Sequence, residues 1–76
     1  MRKVTKEVLL VDSEAIRQIH YDREKRVLLV WFKNGTVYSY WKVQVRLFQR
    51  MRNSYSIGKF FNKHIKGKYK HKITTI

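Results

Sequence analysis

Asn34-Gly35 separates two runs rich in β-branched and aromatic residues, 27–33 and 36–41. A two-residue type I′ turn needs positive φ at both central positions, and Asn followed by Gly is the pair that accepts this at least cost. The dipeptide therefore predicts a β-hairpin. Upstream, 16–21 is also rich in strand formers, and the polar stretch Asp22-Arg23-Glu24-Lys25 joins it to the hairpin. The expectation is a three-stranded antiparallel meander. A two-residue loop would also set the register: Lys33 opposite Thr36, Phe32 opposite Val37, Trp31 opposite Tyr38, Val30 opposite Ser39 and Leu29 opposite Tyr40. One face would then carry Leu28, Val30, Phe32, Val37 and Trp41 with Ser39, and would need covering. The other would carry Leu29, Trp31, Tyr38 and Tyr40, with Lys33 and Thr36 at the turn end.

After Trp41 the apolar period lengthens. Val43, Leu47, Phe48 and Met51 recur at helical spacing while Lys42, Arg46, Arg50 and Asn53 fall elsewhere, which predicts a basic amphipathic helix over about 43–52. Ser54 or Ser56 is placed to cap a second helix with the apolar stripe Ile57, Phe60, Phe61 and Ile65, and Gly67 to end it. The fold class is thus α+β, a three-stranded antiparallel β-meander packed against two C-terminal amphipathic α-helices. The ends stay open: 1–11 reads as an extra edge strand or an arm, and 68–76, which begins Lys-Tyr-Lys-His-Lys, as a short basic strand or a mobile tail.

An apolar content of 43% in 76 residues is enough for one folded domain, although so short a chain buries only about 60% of its unfolded surface. Cysteine is absent, which excludes disulfides, thiolate metal sites and thiol nucleophiles. Proline is absent and glycine occurs only at 35, 58 and 67, so no flexible linker divides 1–76. The apolar runs 8–11 and 27–32 are far too short to cross a bilayer, and a cytoplasmic location is expected. Charge is strongly segregated. All five acidic residues lie within 1–24, where five Lys or Arg balance them, so the whole formal charge of +13 belongs to 25–76. A field of one sign on a small body attracts polyanions.

Several residues together resemble the KTSC domain, a module of about sixty residues named for its place at the C-terminus of some lysyl-tRNA synthetases and also found in small free-standing bacterial and phage proteins. They are Ser13, Ile16, Ile19, Tyr21 and Asp22; Leu28, Val30 and Phe32 before Asn34-Gly35; Tyr38-Ser39-Tyr40; and Ser56, Gly58, Phe60, Phe61, Asn62 and Ile65 with the basic end 66–69. The resemblance covers about 12–73. Two positions depart from it: Gln44 stands where the family usually has proline, and Tyr55 where it usually has a small residue. RNA binding is what the synthetase association implies.

The candidate nucleic-acid contacts are Lys33, Tyr38, Tyr40, Arg46, Arg50, Lys59, Lys63, Lys66, Lys68 and Lys70. Lysines and arginines neutralise phosphates as flexible point charges, and aromatic rings on a strand beside cations hold single-stranded bases. Trp31, Tyr38 and Tyr40 compete for this role with core packing, and Tyr38 is the ring expected to stay partly exposed. His20, His64 and His71 lack ligand spacing, so no metal site is expected. With no carboxylate after Glu24 the chain offers no acid–base pair among its C-terminal residues, and neither catalysis nor a cofactor is expected. The reading is a small, basic, non-enzymatic domain that binds nucleic acid, RNA favoured, mainly through phosphates. The alternative is a protein-interaction module, such as a small phage or mobile-element protein docking on an acidic host surface. A membrane partner is disfavoured, because the apolar sides of both helices are needed for the core.

Overall fold

The computed structural model describes residues 6–75. Five strands and two helices follow in the order β1 (Lys6–Leu10), β2 (Ile16–Asp22), β3 (Val27–Phe32), β4 (Thr36–Tyr40), α1 (Val45–Arg52), α2 (Ile57–His64) and β5 (His71–Thr75). The strands form a single antiparallel sheet in the sequential order β1-β2-β3-β4-β5. The α+β class and the two helices are as expected, but the sheet has five strands rather than three. Both open ends resolve as strands. β1 pairs with β2 and β5 with β4, so the edges that a three-stranded sheet would leave unpaired are covered by short, charged strands. Of the two segments left open, 1–5 and Ile76 lie outside the described residues.

The hairpin register differs by one residue from the expectation. Leu28 pairs with Tyr40, Leu29 with Ser39, Val30 with Tyr38 and Trp31 with Val37. The loop is therefore three residues long, Lys33 to Gly35. The Gly35 N–H donates to the Phe32 carbonyl at 3.0 Å and Gly35 sits at φ +90°, while Asn34 Oδ1 accepts from the Thr36 N–H at 2.9 Å. A turn followed by a left-handed glycine is the standard three-residue solution, and Asn-Gly serves it as well as the two-residue one. Because side chains alternate, a one-residue slip moves every β4 residue to the other face. Tyr38 and Tyr40 thus join Leu28, Val30 and Phe32 on the covered side, while Val37 and Ser39 join Leu29 and Trp31 on the other.

The covered side holds the core. Ile16, Ile19, Tyr21, Leu28, Val30 and Tyr40 from the sheet meet Val43, Phe48, Met51, Phe61 and Ile65 from the helical half. Tyr21 stacks on Phe48 with centroids 4.3 Å apart, and its hydroxyl donates to the Val43 carbonyl. Phe61 meets Tyr40 edge-on at 5.4 Å. Phe48 and Phe61 are each fully buried, and truncation of such a ring to Ala costs about 3–5 kcal/mol.

Local chemistry sets the helix ends. Ser56 caps α2, its Oγ accepting from the Lys59 N–H at 3.3 Å. Ser54 instead donates to the Met51 carbonyl at 2.7 Å and closes α1. Gly67 follows α2 at φ +76°, a conformation that favours glycine. Gln44 precedes α1 at φ −69°, close to the angle a proline ring imposes, so the proline that the resemblance implies at this position would suit the same backbone. Tyr55 is wholly exposed, where side-chain size has no packing consequence. Among the described residues no helix is long and apolar enough to cross a membrane.

Candidate nucleic-acid interface

Two adjoining depressions lie where α2 meets the sheet. The first, about 450 Å³, is lined by Ser13, Ser56, Gly58, Lys59, Asn62 and Lys66 among others. Ser13 Oγ accepts from the Ala15 and Ile16 N–H groups, each at 3.3 Å, which fixes the loop between β1 and β2. A Cβ on Gly58 would stand 3.2 Å from that same Oγ, so glycine is what lets the first turn of α2 approach the loop. The second depression, about 410 Å³, is bounded by Phe32, Asn34, Tyr38, Tyr40, Lys66 and His71, with further residues at its rim. Phe32 and Lys66 line both, so the two depressions adjoin along one groove.

The rings of the second depression form a row. Tyr38 and His71 lie 5.3 Å apart and 15° from parallel, Tyr38 and Tyr40 are 6.2 Å apart at 25°, and Phe32 meets Tyr38 edge-on at 5.2 Å. Tyr40 is buried, with 2% exposure, whereas Tyr38 is half-buried and His71 exposed. Burial first, and the neighbouring Tyr38 second, push the Tyr40 hydroxyl up to about 12. Tyr40 is therefore a neutral support at any ordinary pH.

The cations fall into groups. Arg50 reaches across from α1 to α2, its guanidinium 5.7 Å from the centre of the Phe60 ring. Phe60 in turn packs on His64 at 4.3 Å. The half-buried His64 imidazole is held below its ordinary 6.5, first by loss of solvent and then by the positive charges of Lys63, Arg50 and Lys68. Arg50 thus stands over the Phe60–His64 pair of α2, the helix that also carries Lys59 and Lys63. Lys59 and Lys66 line the groove. Among the described residues the ion pairs are Glu7 with Arg23 and with Arg52, both at 3.2 Å. The exposed Lys33, Arg46, Arg50, Lys59, Lys63, Lys66, Lys68 and Lys70 take no part in them.

Not every candidate belongs to this assembly. Arg46 lines a separate depression with Arg26, at the end of the sheet opposite the Asn34-Gly35 hairpin. Lys33 is exposed in the hairpin loop, and Lys70 precedes β5, its carbonyl accepting from the Trp41 N–H at 3.1 Å. Trp31 is on the opposite face from Tyr38 and Tyr40, packed on His20 at 4.4 Å, so the expected trio of rings on one face does not form. Among the described residues no group of three His, Cys, Asp or Glu is arranged to hold a metal ion. Sequence reading missed Phe32, Asn34 and His71 as lining of the aromatic depression. His71 opens β5, and only it and Lys72 of the Lys-Tyr-Lys-His-Lys run lie in that strand, so the run gave little signal for its place beside β4.

The residues that frame this groove are distant in sequence, and all but His71 fall within 12–69, the span that a family model of the KTSC domain matches. The chain belongs to the KTSC domain family. A crystal structure of a KTSC domain protein from Yersinia pestis superposes with a TM-score of 0.82 at 32% identity, covering 91% of this chain and 97% of that one. The chain is also similar to the lysine–tRNA ligase of Nostoc punctiforme, 36% identical over 63 residues, which is 83% of this chain and 11% of the ligase. An uncharacterized protein of Stutzerimonas stutzeri is 32% identical over 56 residues, covering 74% of this chain and 79% of its own length. This chain therefore spans about a tenth of the length of the ligases it matches. Within the KTSC pattern, Ser13 and Gly58 are a packing pair, Ser56 is a helix cap and Phe61 is core, whereas Asn62 is exposed along the groove.

Proposed function

We propose that this KTSC domain is a non-enzymatic RNA-binding module whose contacts are made mainly with phosphates. The observation that carries the reading is that Arg50 reaches over Phe60 to α2, which with its C-terminal loop carries Lys59, Lys63, Lys66 and Lys68, all five cations exposed and outside the ion pairs of the described residues. Like charges gathered on one helix and its neighbour repel one another, and a polyanion relieves that repulsion while releasing its condensed counterions. The similarity to segments of proteins named lysine–tRNA ligases supports RNA over other polyanions. Contacts to phosphate carry no sequence information, so binding is sequence-poor, and the setting is cytoplasmic.

Gel-shift titration with RNAs of unrelated sequence tests this. Replacing Lys59, Lys63, Lys66 and Lys68 together by Gln is expected to weaken every RNA to a similar degree, while circular dichroism reports an unchanged fold because all four side chains are exposed. Undiminished binding by that variant would remove α2 and its C-terminal loop as the contact surface. Retention of an acidic protein from lysate after nuclease treatment, with no RNA shift, would instead favour a protein partner.

A further inference from the structure

We infer that the depression between Phe32, Tyr38 and His71 is a nucleobase subsite, which takes one unpaired base of single-stranded RNA while Lys66 holds the adjoining phosphate. This rests on the phosphate-binding reading above and adds to it a second kind of contact. Three observations meet here. The cavity, about 410 Å³, is walled by aromatic rings rather than aliphatic side chains, and a flat π-surface selects for another flat group. Tyr38 and His71 are within 15° of parallel, with His71 exposed and Tyr38 half-buried, so an entering planar ring extends an existing row instead of breaking a packed one. Lys66 lines both this cavity and the adjoining one with Lys59 and Asn62, so a strand whose base enters here runs its backbone onto further cations and hydrogen-bonding groups. The exposed Asn34 amide at the rim has its Oδ1 engaged by the Thr36 N–H, which leaves its N–H₂ to donate to a base edge.

The charge surrounding the cavity argues for this occupant over an apolar peptide or a lipid chain. Lys66 is exposed, carboxylates are absent from the cavity lining, and the full 25–76 segment carries no acidic side chain. Stacking is sequence-tolerant because every base has a π-face, which agrees with sequence-poor binding through the phosphates.

The test separates base from backbone. The intact chain is titrated with a short oligoadenylate and with an abasic oligoribonucleotide of the same length, followed by fluorescence anisotropy and by NMR of the aromatic side chains. The base-bearing oligomer is expected to bind roughly tenfold tighter or more. The Tyr38 and His71 ring resonances should move upfield, with those of Trp31 on the opposite face unmoved. His71→Ala, an exposed position on β5, is expected to remove most of the excess affinity. Equal affinities with the rings unmoved, while the α2 lysine resonances shift, would overturn the subsite and leave the phosphate reading standing. Failure of both oligomers to bind would overturn both. Binding of adenosine monophosphate to the same rings with the oligomer's affinity would overturn RNA as the occupant in favour of free nucleotide.

Discussion

Tyr40 illustrates how one side chain links the core to the candidate interface. It is 2% exposed, contacts Phe61 edge-on and stands behind Tyr38, so it supports the groove from within. Its pKa is raised from 10.0 to about 12, chiefly by burial and further by Tyr38. Tyr21 is raised as well, by burial against the opposing pull of Arg26 and Arg23. A group whose folded pKa lies above its unfolded value ionises first in the unfolded chain, so its stabilisation is complete below pH 10 and is lost as pH climbs toward 12. The melting temperature is accordingly expected to fall across that window, and the fall should be smaller in Tyr40→Phe, which has no hydroxyl to ionise. Identical alkaline profiles for the two proteins would contradict the burial of an ionisable hydroxyl at this position. At the same scale, the positive φ of Arg26 and Lys42, 57° and 60°, marks two sites that no residue type announced in advance. Both flank the Val43 N–H to Arg26 carbonyl bond at 2.9 Å, and it is this tertiary contact rather than local preference that holds them.

The start of α2 is where sequence pattern and packing are most tightly joined. Gly58 lies in a helix, where alanine would ordinarily be favoured by about 1 kcal/mol, yet its missing side chain makes room for Ser13. Gly58→Ala alone is expected to lower stability by about 1 kcal/mol, because Ser13 Oγ is tied to two backbone N–H groups and cannot give way freely. In a Ser13→Ala background the same change should stabilise instead, since the obstructing oxygen is gone. A double-mutant cycle by chemical denaturation measures this coupling, and additive effects would contradict the contact. The elements themselves were largely legible: both helices, the Ser56 cap and the three central strands follow from period and capping chemistry, whereas the C-cap of α2 is Ile65, two residues before the expected Gly67. The register did not, because Asn-Gly satisfies a two-residue and a three-residue hairpin loop equally, and only the fit of Tyr38 and Tyr40 against Phe32 and Phe61 selects between them. β1 and β5 were left open for a related reason. A five-residue strand at a sheet edge is half exposed, as the alternating burial along β1 shows, and its weak apolar signal is completed by pairing with a neighbour rather than by its own composition.

For the whole molecule, the decisive feature is the division of charge over the fold. Glu7 from β1 pairs with Arg23 and Arg52, whereas the cations of α2, its C-terminal loop and Arg50 lie outside the ion pairs of the described residues. That surplus was legible in the sequence as an absence of acids after position 24. Its gathering beside α2 was not, since it depends on how α1 packs beside α2 and brings Arg50 over Phe60. Arg46, equally basic in sequence, faces Arg26 at the far end of the sheet and is not expected to share in the same contact. The account's central claim is that this gathered surplus meets RNA phosphates, and the salt dependence of binding tests it most directly. Affinity for a single-stranded RNA, measured from low to physiological salt, should fall linearly on a double-logarithmic plot, and each lysine of the Lys59, Lys63, Lys66 and Lys68 set replaced by Gln should flatten the slope by about 0.7. A slope near zero, or one that those substitutions leave unchanged, would contradict it.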